Sequence, residues 1–139
     1  MRGVVCLGVA LAATFLPIPA WAAGGLSTHV LDATSGKPGA GVAVSLYSLD
    51  GGRKLVKQLR TDDDGRIREV LGPNEMKPGR YELVFSIGDY FKQRPGAAPA
   101  VRIPFLDEVP VRFGVDRADE HYHVPLLVTP YSYSTYRGS

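Results

Sequence analysis

The sequence holds three histidines, His29, His121 and His123, the side chains best suited to moving protons near neutral pH. His29 falls in the alternating segment LSTHVL and points away from the face that carries Leu26 and Val30. His121 and His123 are two apart in HYHVPLL, so an extended backbone puts them on one face. Two strands distant in sequence can thus bring imidazoles into a single acid–base site. Taken singly, each histidine also fits a plainer role as a hydrogen-bonded strand residue. A zinc site is a third reading, because His-x-His with another histidine supplies three nitrogens. No thiolate or clearly placed carboxylate completes such a shell, and neither metal nor cofactor is expected.

Two further clusters carry charge. Asp62, Asp63 and Asp64 precede Gly65 like a fragment of a calcium loop, but the twelfth position from Asp62 is Pro73 where the loop needs a glutamate. Carboxylates that bond local amides in a turn are the better account. The ending Tyr136-Arg137-Gly138-Ser139 combines an aromatic ring, a guanidinium, a hydroxyl and a carboxylate. A frayed tail is the alternative reading of these four residues.

The elements that must position these groups are short. Leu26 to Leu31 reads as a strand, DATSGKPGAG (Asp32 to Gly41) as a loop, and Val42 to Leu49 as a core strand. Asp50-Gly51-Gly52 turns the chain into a partner strand at Lys54 to Arg60, and TDDDG leads into another at Arg66 to Val70. Tyr81 to Ser86 follows, and Gly88 to Arg94 is expected to be the single short helix, stopped by Pro95-Gly96. Val109 to Val115 alternates most clearly, and Val124 to Thr129 and Tyr131 to Tyr136 are separated by Pro130. Such spacing argues for an all-β antiparallel sandwich.

With 139 residues, 45% hydrophobic and 22% charged, the chain has room for one globular domain. Residues 1–22 stand apart: Arg2 is their only charge, and an apolar run ends in Ala20-Trp21-Ala22, the small-x-small pattern of a secretory cleavage site. Cleavage is expected after Ala22 or Ala23, which leaves residues 23–139 as the mature domain in the periplasm. The lone cysteine, Cys6, leaves with the signal, so no disulfide or thiol chemistry remains. The formal charge of +2 is interspersed along the chain and implies neither a nucleic-acid nor a membrane partner.

Three blocks then carry a resemblance: LSTHVLDATSGKPGAGVAVSLY (Leu26 to Tyr47), TDDDGR (Thr61 to Arg66) and EHYHVPLLVTPYSYSTYRGS (Glu120 to Ser139). On these the chain resembles the 5-hydroxyisourate hydrolases, the transthyretin-related proteins, and the YRGS ending is the feature that sets them apart from hormone-carrying transthyretins. The resemblance implies a transthyretin-like sandwich of two four-stranded antiparallel sheets with one short helix. It implies a homotetramer, a dimer of dimers built edge to edge, with active sites at the dimer-to-dimer contact. It implies a catalytic set of His29, Arg66, His123 and Ser139, with Tyr136 contacting substrate beside His29 and Arg66, and His121 as a supporting residue. The implied reaction adds water to C6 of 5-hydroxyisourate and opens the six-membered ring, giving 2-oxo-4-hydroxy-4-carboxy-5-ureidoimidazoline.

Two other functions compete. A non-catalytic carrier would use the central channel at that dimer-to-dimer contact for a small hydrophobic ligand, but needs a predominantly apolar pocket. Repeat-type sandwich domains of surface adhesins share the strand and turn grammar of GKPGAGVAVSLY and PGRYELVF, yet have no reason to end in YRGS.

Overall fold

The computed structural model describes residues 24–94 and 102–139. The expected signal segment and Pro95-Gly96 lie outside those residues. Nine strands and one helix follow in order: β1 (Leu26–Asp32), β2 (Lys37–Pro38), β3 (Ala43–Ser48), β4 (Lys54–Arg60), β5 (Arg66–Leu71), β6 (Gly79–Ser86), α1 (Ile87–Gln93), β7 (Glu108–Val115), β8 (Tyr122–Val128) and β9 (Tyr133–Thr135).

The strands form two sheets. One runs β4-β3-β6-β7, antiparallel throughout. The other has β1 and β8 at its centre, with β9 beside β8. The far side of β1 is shared: β5 pairs its first half, Leu26 to His29, and β2 pairs Leu31 and Asp32. Where β2 pairs β1 this sheet is four strands wide, β2-β1-β8-β9; where β5 pairs β1 it is three, β5-β1-β8, with the tail joined by the isolated His123–Gly138 bridge. Between the sheets sits the core, where Leu26, Val30, Val44, Leu46, Leu83, Phe85, Val109, Leu126 and Val128 are all almost wholly buried. The alternation seen in LSTHVL is realised, with Leu26, Thr28 and Val30 inward.

Two expectations need correction. The sandwich is not antiparallel throughout, because β1 and β8 pair in parallel from Leu26↔Tyr122 to Asp32↔Val128. Parallel neighbours need a long crossover, and here the whole second sheet supplies it; local patterning carries no signal for the relative direction of strands more than 90 residues apart. The segment Asp32 to Gly41 is also not all loop, since Lys37 and Pro38 form the small strand β2. Pro38, which has no N–H to donate, sits where only a short edge pairing is required.

Helix α1 follows β6 without a linker and buries Ile87 against the sandwich. Asp89 in its first turn and Lys92 in its last suit the helix dipole. Arg94 is already extended (φ −65°, ψ 147°), as expected of a residue that precedes proline.

Candidate active site

The site lies on the outward face of the β1/β8 sheet. Ser27 and His29 alternate away from the core on β1, and the parallel register sets Ser27 beside His123 of β8. The antiparallel register sets His29 opposite Arg66, the first residue of β5. Residues paired this way project to the same face, so three distant segments converge.

The TDDDGR turn that delivers Arg66 is self-bonded. The Asp62 carboxylate accepts from the Asp64 N–H (3.0 Å) and the Arg66 N–H (2.9 Å), and it pairs with Arg68. Gly65 takes φ of 73°, and its carbonyl accepts from the Val30 N–H at 2.8 Å. A Cβ there would lie 2.5 Å from the Val30 carbonyl oxygen, so only glycine lets the turn dock on β1. Asp62 and Asp64 thus serve the turn and anchor Arg68, and Arg66 alone of the two arginines has an uncommitted guanidinium among the described residues.

The tail is not frayed. The Gly138 N–H donates to the His123 carbonyl at 2.9 Å and the two residues form a bridge. Arg137 binds Glu120 (2.7 Å) and lies 4.6 Å over the Tyr122 ring. Ser139 is thereby brought to a cavity of about 210 Å³ whose walls are Ser27, Thr28, Arg66, Arg68, His123 and Ser139. Drug-sized pockets run to roughly 300–1,000 Å³ and are mostly apolar; this one is smaller, and every residue lining it is polar.

Of the expected residues, Arg66, His123 and Ser139 share that cavity, and His29 stands at its margin opposite Arg66. Tyr136 does not: it lines a separate cavity of about 350 Å³ with Val111, Phe113 and Tyr122. A larger cavity of about 440 Å³ elsewhere is bounded by Asp32, Tyr90 and Arg94, where the Tyr90 hydroxyl and the Arg94 guanidinium both donate to the Asp32 carboxylate.

Electrostatics favour neutral imidazoles. Burial lowers the pKa of His123 below its usual 6.5, and the charge of Arg66 and the neighbouring His121 and His29 lower it further. Burial and then Arg66 also lower His29, opposed by the Asp64 main chain and the carboxylates of Asp62 and Asp64. The arrangement therefore holds neutral bases beside a fixed cation, which is what addition of water to a carbonyl requires.

Two residues escaped the sequence reading. Ser27 Oγ lies 2.8 Å from His123 Nδ1 and 2.9 Å from His121 Nε2. Alternation had put Ser27 on the face of His29, but the β1/β8 pairing that gives it meaning is tertiary. Gly138 packs directly on the His123 ring, where a Cβ would meet Cδ2 at 2.5 Å.

Fold and cavity together define a transthyretin-like β-sandwich that carries a polar histidine and arginine pocket. Comparison with known proteins gives the same class: residues 26–138 match the profile of the HIUase/Transthyretin family, and the chain belongs to it. A Caulobacter vibrioides protein named 5-hydroxyisourate hydrolase is 52% identical over 83% of this chain and 98% of its own length. One from Pseudomonas aeruginosa with the same name is 49% identical over 84% and 92% respectively. Among solved structures, Klebsiella pneumoniae 5-hydroxyisourate hydrolase superposes with a TM-score of 0.65 at 33% identity, covering 84% of this chain and 94% of that one.

Proposed function

We propose that this protein is an enzyme that hydrolyses 5-hydroxyisourate in urate breakdown, opening the ring to 2-oxo-4-hydroxy-4-carboxy-5-ureidoimidazoline. The observation that carries the reading is the small polar cavity lined by Arg66, His123 and Ser139, with His29 paired opposite Arg66, in a chain about half identical to hydrolases of that name. His29 and His123 activate water jointly as neutral imidazoles. Arg66, always charged and planar, faces the oxyanion that develops at C6. Ser139 orients the ring. A carrier of apolar ligands would need apolar walls, which this cavity lacks.

The same reading includes assembly and location. The cavity sits open on the outer face of a sheet, so a second dimer stacked there would roof it and exclude water. Strands β7 and β9 each pair on one side only, which suits edge-to-edge dimers, and Tyr131 and Tyr133 are exposed nearby in the chain. Tyr136 would reach substrate across such a contact from a neighbouring copy. Secretion to the periplasm rests on residues 1–22 alone.

Freshly generated substrate, made from urate with urate oxidase, provides the test. The ultraviolet signal of the intermediate should vanish far faster with the enzyme than spontaneously, and His29→Ala and His123→Ala should fold yet lose most of that acceleration. Near wild-type turnover in either variant refutes the assignment. Sedimentation should give four chains, and trimming residues 136–139 should abolish activity while leaving the sandwich folded.

A further inference from the structure

The contacts behind His123 form a directed chain. His121 Nδ1 lies 3.3 Å from the Gly24 carbonyl oxygen, an atom that only accepts, so this nitrogen carries a proton. With the ring's single proton on Nδ1, His121 presents a lone pair at Nε2, to which the Ser27 hydroxyl, 2.9 Å away, donates. A hydroxyl has one proton to give. Toward His123 Nδ1, at 2.8 Å, Ser27 can therefore only accept, and that Nδ1 must carry the hydrogen.

We infer that Ser27 and His121 are positioning residues which hold neutral His123 with its proton on Nδ1, leave Nε2 bare as the base, and relay a proton between His123 and the exposed His121. The inference rests on the hydrolase reading above and assigns the base within it.

The steps balance. As the water oxygen bonds to C6, one water proton passes to His123 Nε2. The Nδ1 proton moves to Ser27 Oγ while the hydroxyl proton of Ser27 moves to His121 Nε2. His121 is now the imidazolium, and His123 is neutral with its hydrogen on Nε2. When the C6–N bond breaks, that hydrogen goes to the leaving nitrogen, and the relay runs backward to restore the resting state. The positive charge spends the intermediate on His121, which is exposed, instead of on half-buried His123 near Arg66 and His29. The Gly24 carbonyl steadies it there.

Imidazole ¹⁵N NMR of the purified protein above pH 7 tests the tautomer without turnover. His123 should show a protonated Nδ1 and a bare Nε2, and Ser27→Ala should abolish that preference. In turnover, Ser27→Ala should lose about tenfold or more in kcat with little change in KM, and Ser27→Thr, which keeps the hydroxyl, should recover most of it. His121→Gln can still accept from Ser27 and should keep the tautomer, yet it cannot take a proton and should lose kcat. A wild-type His123 protonated on Nε2, or wild-type kcat in Ser27→Ala, overturns the relay. His123→Ala serves as the control: if it keeps full activity, the base assignment fails and the relay's catalytic role with it, whatever tautomer the spectra give.

Discussion

Replacing Gly138 by alanine tests the site through a residue that has no chemistry of its own. The new Cβ would stand 2.5 Å from His123 Cδ2, 3.2 Å from Cγ and 3.3 Å from Cβ, whereas ordinary carbon contacts begin near 3.5 Å. The ring must therefore yield by about 1 Å, or the tail must lift by as much. Ring movement stretches the 2.8 Å bond to Ser27, and tail movement breaks the 2.9 Å bond to the His123 carbonyl and carries Ser139 out of the cavity. Misplacement of about 1 Å in a catalytic group costs on the order of 100-fold. The fold should hardly notice, because the tail is exposed and Gly138 has no positive φ to strain; the stability change should stay within about 1 kcal/mol. The assay pairs kcat/KM on fresh 5-hydroxyisourate with a urea unfolding curve. Wild-type kcat/KM in Gly138→Ala would show that the His123 ring position and the tail are irrelevant to turnover.

Arg66→Met should cost on the order of 10²–10³ in kcat, and because its charge helps lower the His123 pKa, the acidic limb of the pH–rate profile, where the neutral base is lost, should move upward toward 6.5; a limb that stays put or moves down contradicts the electrostatics. Folded His29 and His123 both hold protons less tightly than the unfolded chain, so stability should be complete above pH 6.5 and fall as pH drops below it, with a smaller fall in His123→Ala, readable from melting temperatures at pH 7 and pH 5. At the other end of β1, burial would raise the pKa of Asp32, but bonds from Thr34, Arg94 and Tyr90 win and lower it to about 2. Its contribution of about 2 kcal/mol should be present above pH 3.8 and disappear toward pH 2. Arg94→Ala, which removes a partner 2.6 Å from a carboxylate only 1% exposed, should destabilise by about 3 kcal/mol in urea, and a loss below about 1 kcal/mol would argue that the pair is dispensable.

Residue alternation made most of the strands legible. In LSTHVLD it separates the core face from the face of Ser27 and His29, because a strand with one buried side must alternate. Lys54–Arg60 appears with the expected bounds, and the helix begins one residue early and ends one early, at Ile87–Gln93. The site was legible only through motifs: LSTHVLD, TDDDGR, HYH and YRGS name the residues but not their distances.

What the chain by itself determined is local. Glycine and aspartate chemistry set the turn before Arg66, and burial-driven alternation chose each side chain's face. Tertiary structure alone decided that β1 and β8 run parallel, since their direction depends on how an entire sheet crosses between them. That one pairing places Ser27 beside His123 and, with the return of the tail, forms the walls of the cavity. Pairing between segments so far apart is governed by the shared core they bury, a collective property that no short stretch of residues contains.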